Sequence, residues 1–138
     1  MKRNATAVWE GSLKEGNGKI STQSTVLSNA QYSFKTRFEH GNGTNPEELI
    51  AAAHAGCFTM QLTAYLNEAG FRVASIETKC DIDFQDGSVV ESHLSVIGRV
   101  DAISTDKFQE LVKKAETTCP ISRLLNTKIT SNATLVLP

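Results

Sequence analysis

Three cysteines, Cys57, Cys80 and Cys119, are the strongest nucleophiles this chain can offer. A cysteine attacks as its thiolate, so its surroundings decide whether it reacts. Cys57 lies in the run Ala-His-Ala-Gly-Cys-Phe. A cysteine in such a small, apolar run also reads as a buried hydrophobe. Cys119 directly precedes Pro120. Its thiol could cap a short following helix, whose positive end favours a thiolate. Alternatively, it closes the apolar stripe of Phe108, Leu111, Val112 and Ala115. Cys80 falls on the apolar side of an alternating segment and reads as structural.

His54 stands one helical turn before Cys57, which makes the two side chains neighbours. That spacing suits a Cys–His nucleophile pair for hydrolysis or acyl transfer. Cys57, Cys119 and His40 could also contribute to a metal site. Zinc sites usually contain close ligand pairs such as Cys-x-x-Cys, and the chain has none. A single histidine on a packed helix also serves as a hydrogen-bonded core residue. Two charged residues complete the set. Arg37 stands with Ser33 and Lys35 on the polar side of an alternating run, where it also reads as a solvated strand residue. Glu47 reads as a first-turn carboxylate facing the positive end of a helix.

The elements that must carry these residues are well punctuated. Ala5, Ala7 and Trp9 alternate with more polar neighbours, Gly16-Asn17-Gly18 is a turn signal, and Lys19 to Leu27 is strand-prone. Tyr32, Phe34, Thr36 and Phe38 share a parity and predict a third strand. Asn45, Pro46 and Glu48 suit the cap, first and third positions of a helix. That helix is expected to run to about Ala69 and stop at Gly70. It is apolar nearly all round, so it should be buried nearly all round, with a second subunit helping to cover it. Ile76 to Phe84 and Val90 to Val100 predict two strands joined at Asp86-Gly87. A helix from Thr105, a short helix from Pro120 to Leu125 and a strand from Ile129 to Leu137 complete one domain, 1–138. Strands and helices in blocks give an α+β fold.

The chain has 138 residues, with 14 basic and 15 acidic side chains. The near balance of charge offers no footprint for nucleic acid or an anionic membrane. No apolar run is expected to reach the ~20 residues of a membrane span. The basic start, MKRNATAVWEGS, lacks the apolar stretch of a secretion signal. An odd number of cysteines argues against a structural disulfide framework and for a reducing, cytoplasmic setting.

Taken together, these motifs resemble the OsmC/Ohr family of thiol-dependent hydroperoxide peroxidases, and the OsmC branch more closely. The resemblance starts at Trp9-Glu10-Gly11. It continues through Phe34 to Glu39, Gly43 to Ile50, Ala52 to Phe58 and Glu68 to Phe71, and ends at Ala115 to Ser122. The central helix motif and Cys119-Pro120-Ile121-Ser122 are together highly specific. The resemblance implies antiparallel sheets around a long central helix and a second helix, in an intertwined homodimer with sites at the subunit interface. It implies that Cys57 is the peroxidatic cysteine, Cys119 the resolving one, and Arg37 with Glu47 the activating pair.

Those roles have a physical basis. Apolar surroundings oppose a thiolate, and a nearby guanidinium reverses that penalty by ~1–3 pKa units. Glu47 would fix the aim of Arg37 through a bidentate pair. The cycle would run from a Cys57 sulfenic acid to a Cys57–Cys119 disulfide. An external dithiol, possibly a lipoylated protein, would then restore both thiols, with no metal, haem or flavin. Glu47 and Cys57 are ten residues apart, a rise of ~15 Å on one helix. That spacing suggests that each site takes Arg37 and Glu47 from one chain and Cys57 from its partner. Two rival readings are a Cys57–His54 hydrolase or transferase, and a non-enzymatic stress-related binding protein.

Overall fold

A computed structural model describes all residues, 1–138. The chain divides into two compact units, Met1–Leu49 and Ile50–Pro138.

The first unit holds strands β1 (Ala5–Glu10), β2 (Asn17–Thr22) and β3 (Ala30–Tyr32), paired antiparallel in that order. Gly18 is opposite both Trp9 and Tyr32. A Cβ at Gly18 would overlap the Tyr32 ring. Its absence lets Trp9 and Tyr32 meet edge to face, with ring centroids 5.5 Å apart.

The expected third strand stops early. Residues Phe34–Phe38 form a helix, α1, and not the alternating strand that parity predicts. The reason is local. Ser33 Oγ accepts the Thr36 N–H, and Thr36 Oγ1 accepts the Ser33 N–H. This reciprocal capping box turns the chain into a helix. Phe34 and Phe38 then lie on one face, with centroids 4.8 Å apart. A spacing of four residues places two side chains on one face of either a strand or a helix, so parity could not separate the two.

Helix α2 spans Pro46–Glu68. Asn45 caps it as expected, its Oδ1 accepting the Glu48 N–H at 2.8 Å. Glu48 itself accepts the Thr44 hydroxyl at 2.8 Å and makes no reciprocal bond to the cap. At the other end Phe71 N–H reaches Leu66 C=O and Gly70 N–H reaches Asn67 C=O. With Gly70 at φ +87°, these bonds form a Schellman stop.

The second unit contains β4 (Val73–Gln85), β5 (Ser88–Val100), α3 (Thr105–Thr118), α4 (Pro120–Leu124) and β6 (Lys128–Val136). Asp86 and Gly87 both have positive φ, at 50° and 78°, which matches a two-residue hairpin turn of the primed type. The sheet order is β4-β5-β6. The β4–β5 pair is antiparallel, but β6 runs parallel to β5. An all-antiparallel sheet is therefore not what forms. The chain reaches β6 through α3 and α4, and such a crossover returns it in the same direction.

Phe58, Leu62 and Leu66 of α2, Leu94, Val96 and Val100 of β5, and Phe108 and Val112 of α3 form the core of this unit. Each large side chain contributes roughly 1.5–3 kcal/mol by leaving water. Gly98 leaves room for the Phe108 ring, which a Cβ would overlap. Within one chain α2 buries only the stripe His54, Phe58, Leu62 and Leu66. It is not covered nearly all round, and Met60 is 76% exposed. By length and composition alone α2 would suffice to cross a bilayer, contrary to the expectation that no stretch does. Its apolar stripe is instead used by the core.

Candidate active site

The structure brings Cys57 and Cys119 together. Cys57 is half-buried on α2, Cys119 is fully buried, and both are free thiols. Cys119 ends α3 and begins α4. Its N–H reaches Ala115 C=O, and its C=O accepts the Arg123 N–H, each at 3.0 Å. Its extended backbone, φ −53° and ψ 130°, is the geometry that Pro120 imposes on the preceding residue. The Cys119 side chain does not cap α4, contrary to one sequence expectation. Cys57 and Ile121 pack against the same core cluster as Cys119, and the Cys119 thiol and the Ile121 N–H both act on the acidity of Cys57.

Those neighbours set the acidity of Cys57. Burial is the largest influence and pushes the thiol up, because a thiolate loses hydration there. The hydrogen bond to Cys119 pushes the same way, because it holds the neutral S–H form. The Ile121 N–H opposes both by favouring the anion. Within its own unit the surroundings of Cys57 thus favour the neutral thiol.

His54 does not serve Cys57 as a base. It is fully buried, with Nδ1 2.6 Å from Ser92 Oγ and Nε2 2.7 Å from Ser122 Oγ. Both ring nitrogens are therefore engaged. Burial lowers the pKa of His54, so the ring is held neutral. Cys80 borders the same group, 3.3 Å from Ser92 Oγ, and burial pushes its thiol up. Cys80 thus sits in a structural cluster. No group of three or more histidine, cysteine or acidic side chains is placed to hold a metal ion.

Arg37 and Glu47 form an ion pair inside the first unit. Arg37 Nε and Nη2 both donate to Glu47 Oε1, at 3.0 and 2.9 Å. Two guanidinium N–H groups thus hold the carboxylate as expected, both through one oxygen. Glu47 Oε2 is buried and has no hydrogen-bond partner within the chain. The capping box brings Arg37 into α1, and Asn45 Nδ2 ties the Thr36 carbonyl to the start of α2 at 3.0 Å. Arg37 also stands over the Phe38 ring, 5.3 Å from its centroid. It borders a hollow of about 210 Å³ whose other walls include Trp9, Leu13, Tyr32, Phe34 and Phe38. One cation on an aromatic wall could grip a polar atom of a molecule whose remainder is apolar.

Sequence reasoning missed the two serines. Ser92 shares the buried parity of Leu94 and Val96, and a serine on an apolar face signals a buried partner. Ser122 lies inside the Cys-Pro-Ile-Ser motif.

A family model described as OsmC-like protein matches residues 39–133. Peroxiredoxin OsmC of Escherichia coli (strain K12) is 42% identical over 134 residues, covering 94% of each chain. Organic hydroperoxide resistance protein OhrB of Bacillus subtilis (strain 168) is 32% identical over 109 residues, covering 77% of this chain and 79% of that one. Its crystal structure superposes with a TM-score of 0.64 over 96% of this chain and 98% of the other, at 24% identity. An OsmC like protein from Mycoplasma pneumoniae superposes with a TM-score of 0.76 at 16% identity, over 99% and 98% of the two chains. The chain belongs to the OsmC family.

Proposed function

We propose that the protein is a cysteine-based peroxidase that reduces organic hydroperoxides to alcohols. The observation that carries this reading is the contact between the Cys57 and Cys119 thiols. The Cys57 thiolate attacks the outer oxygen of the peroxide. The O–O bond breaks, the alkoxide takes a proton to become an alcohol, and Cys57 becomes a sulfenic acid. Cys119 then displaces that hydroxyl as water, forming a Cys57–Cys119 disulfide. A dithiol reductant such as a lipoyl group reduces the disulfide by exchange and is itself oxidised to a cyclic disulfide. A reducing cytoplasm suits such a cycle.

The first step needs an ionised Cys57, and its own unit disfavours ionisation. Arg37 supplies the missing positive charge, aimed by Glu47, and afterwards stabilises the developing alkoxide. Glu47 lies ten residues before Cys57 on the continuous helix α2, a rise of ~15 Å. A homodimer in which Arg37 and Glu47 face the Cys57 of the partner subunit resolves that distance. The poorly covered face of α2 and the unpaired Glu47 Oε2 support this reading. The aromatic hollow beside Arg37 suits an apolar substituent on the peroxide.

The test is a free-thiol count before and after one equivalent of cumene hydroperoxide. The expected result is a fall from three thiols to one, with Cys80 remaining. An unchanged count would remove the peroxidase reading.

A further inference from the structure

Between α2, β5 and α4 lies a buried polar chain, Ser92–His54–Ser122. Buried polar groups specify one arrangement of the elements that carry them, because leaving any member unpaired costs the full desolvation of that group. Here the elements include both those bearing Cys57 and the one that Cys119 begins.

Helix α4 depends on this chain to an unusual degree. It is five residues long, Pro120–Leu124, too short to hold its shape alone. Its one buried side chain is Ser122, and Leu124 is 74% exposed. Ile121 is only half-buried against the core. Yet α4 presents two groups to Cys57: the Ile121 N–H, and the sulfur of Cys119 that begins the helix. The Ser122 hydroxyl on His54 Nε2, at 2.7 Å, is thus a specific tether between α4 and the helix that carries Cys57.

We propose that the His54–Ser122 hydrogen bond is a latch that seats α4 against Cys57, making His54 and Ser122 positioning residues for the two-cysteine cycle. This rests on the redox roles given above to Cys57 and Cys119. The latch acts on both halves of the cycle. It holds the Ile121 N–H on the attacking sulfur. It also keeps Cys119 within reach when the Cys57 sulfenic acid must lose water to form the disulfide. Ser92 occupies the other ring nitrogen from β5, a strand that carries neither reacting sulfur, and lies outside the latch.

The experiment compares Ser122→Ala and Ser92→Ala with the unaltered chain by two readouts. The first is the pH profile of Cys57 alkylation by iodoacetamide, which uses no peroxide. The second is the lifetime of the Cys57 sulfenic acid, trapped with dimedone after one equivalent of cumene hydroperoxide. Ser122→Ala is expected to move the alkylation profile to higher pH. It should also lengthen the sulfenic lifetime about tenfold, the factor for one hydrogen bond of ordinary net strength. Ser92→Ala is expected to lower thermal stability similarly while leaving both readouts near the unaltered values. His54→Gln, which can reach only one serine, serves as a second variant should Ser122→Ala not fold, and is expected to shift both readouts the same way. The latch is overturned if the folded Ser122→Ala or His54→Gln protein keeps the original profile and lifetime, or if Ser92→Ala moves them equally. Failure of the redox reading looks different: no sulfenic acid is trapped from the unaltered chain, while the alkylation profiles still report on the latch.

Discussion

The thiol pair and the ion pair are built on opposite principles. Cys57 and Cys119 sit among apolar side chains and are held by neutral hydrogen bonds, so the default of their environment is the protonated, unreactive form. Arg37 and Glu47 sit where the guanidinium still meets solvent, with side chains 39% and 14% exposed. A charge kept partly hydrated costs far less to maintain than one carried in a core. The lesson is a division of labour. One region packs two neutral thiols into an apolar core, and the other keeps a charged pair at its surface. Under the proposed cycle, reactivity depends on the charge of one acting on a sulfur of the other.

The harshest way to break that comparison is to delete a sulfur. Cys57→Ser is expected to abolish peroxide consumption. Cys119→Ser should still reduce one equivalent and then stop with a sulfenic acid on Cys57. Mass spectrometry after a single peroxide addition distinguishes the two.

Next in size is removal of the charge. A cation lowers a thiol pKa, and its loss returns the pKa upward, so Arg37→Met should shift the pH profile of peroxide consumption to higher pH. The shift should be ~1–3 units, slowing the reaction at neutral pH by about tenfold to a thousandfold. Mixing Arg37→Met chains with Cys57→Ser chains sharpens the test. If the sites are shared between subunits, each mixed dimer regains one complete site and activity returns. If they are not, the mixture is no faster than the Arg37→Met chains alone.

The smallest effect concerns His54. Its pKa is lowered in the folded chain, so the unfolded chain binds its proton more readily. The stability tied to its neutral ring is therefore fully present above pH 6.5, the ordinary histidine value, and is lost as pH falls through the folded value. Urea unfolding between pH 7 and pH 5 should show this decline, and His54→Gln should flatten it.

Much of this was readable from residues. Asn45-Pro46 and Gly70 mark the ends of α2, and Asp86-Gly87 marks the hairpin, because caps and tight turns are local chemistry. The Cys119-Pro120 step likewise gives both the break between helices and the placement of a sulfur there. What failed depended on ambiguity or distance. Phe34 and Phe38 are four apart, a spacing that does not discriminate strand from helix, and the Ser33–Thr36 capping box decided it. The partnership of His54 with Ser92 and Ser122 spans 38 and 68 residues along the chain, beyond any local pattern. The parallel pairing of β6 follows from where a crossover lands, and alternation within the strand does not reveal direction.

The central claim is that Cys57 and Cys119 are the sulfurs that exchange electrons with peroxide. Peptide mapping under non-reducing conditions after one equivalent of organic hydroperoxide addresses it directly. One linkage is expected, joining the peptides that contain Cys57 and Cys119, with Cys80 still alkylatable. A linkage to Cys80, or unlinked Cys57 and Cys119 peptides once the peroxide has been consumed, would contradict it.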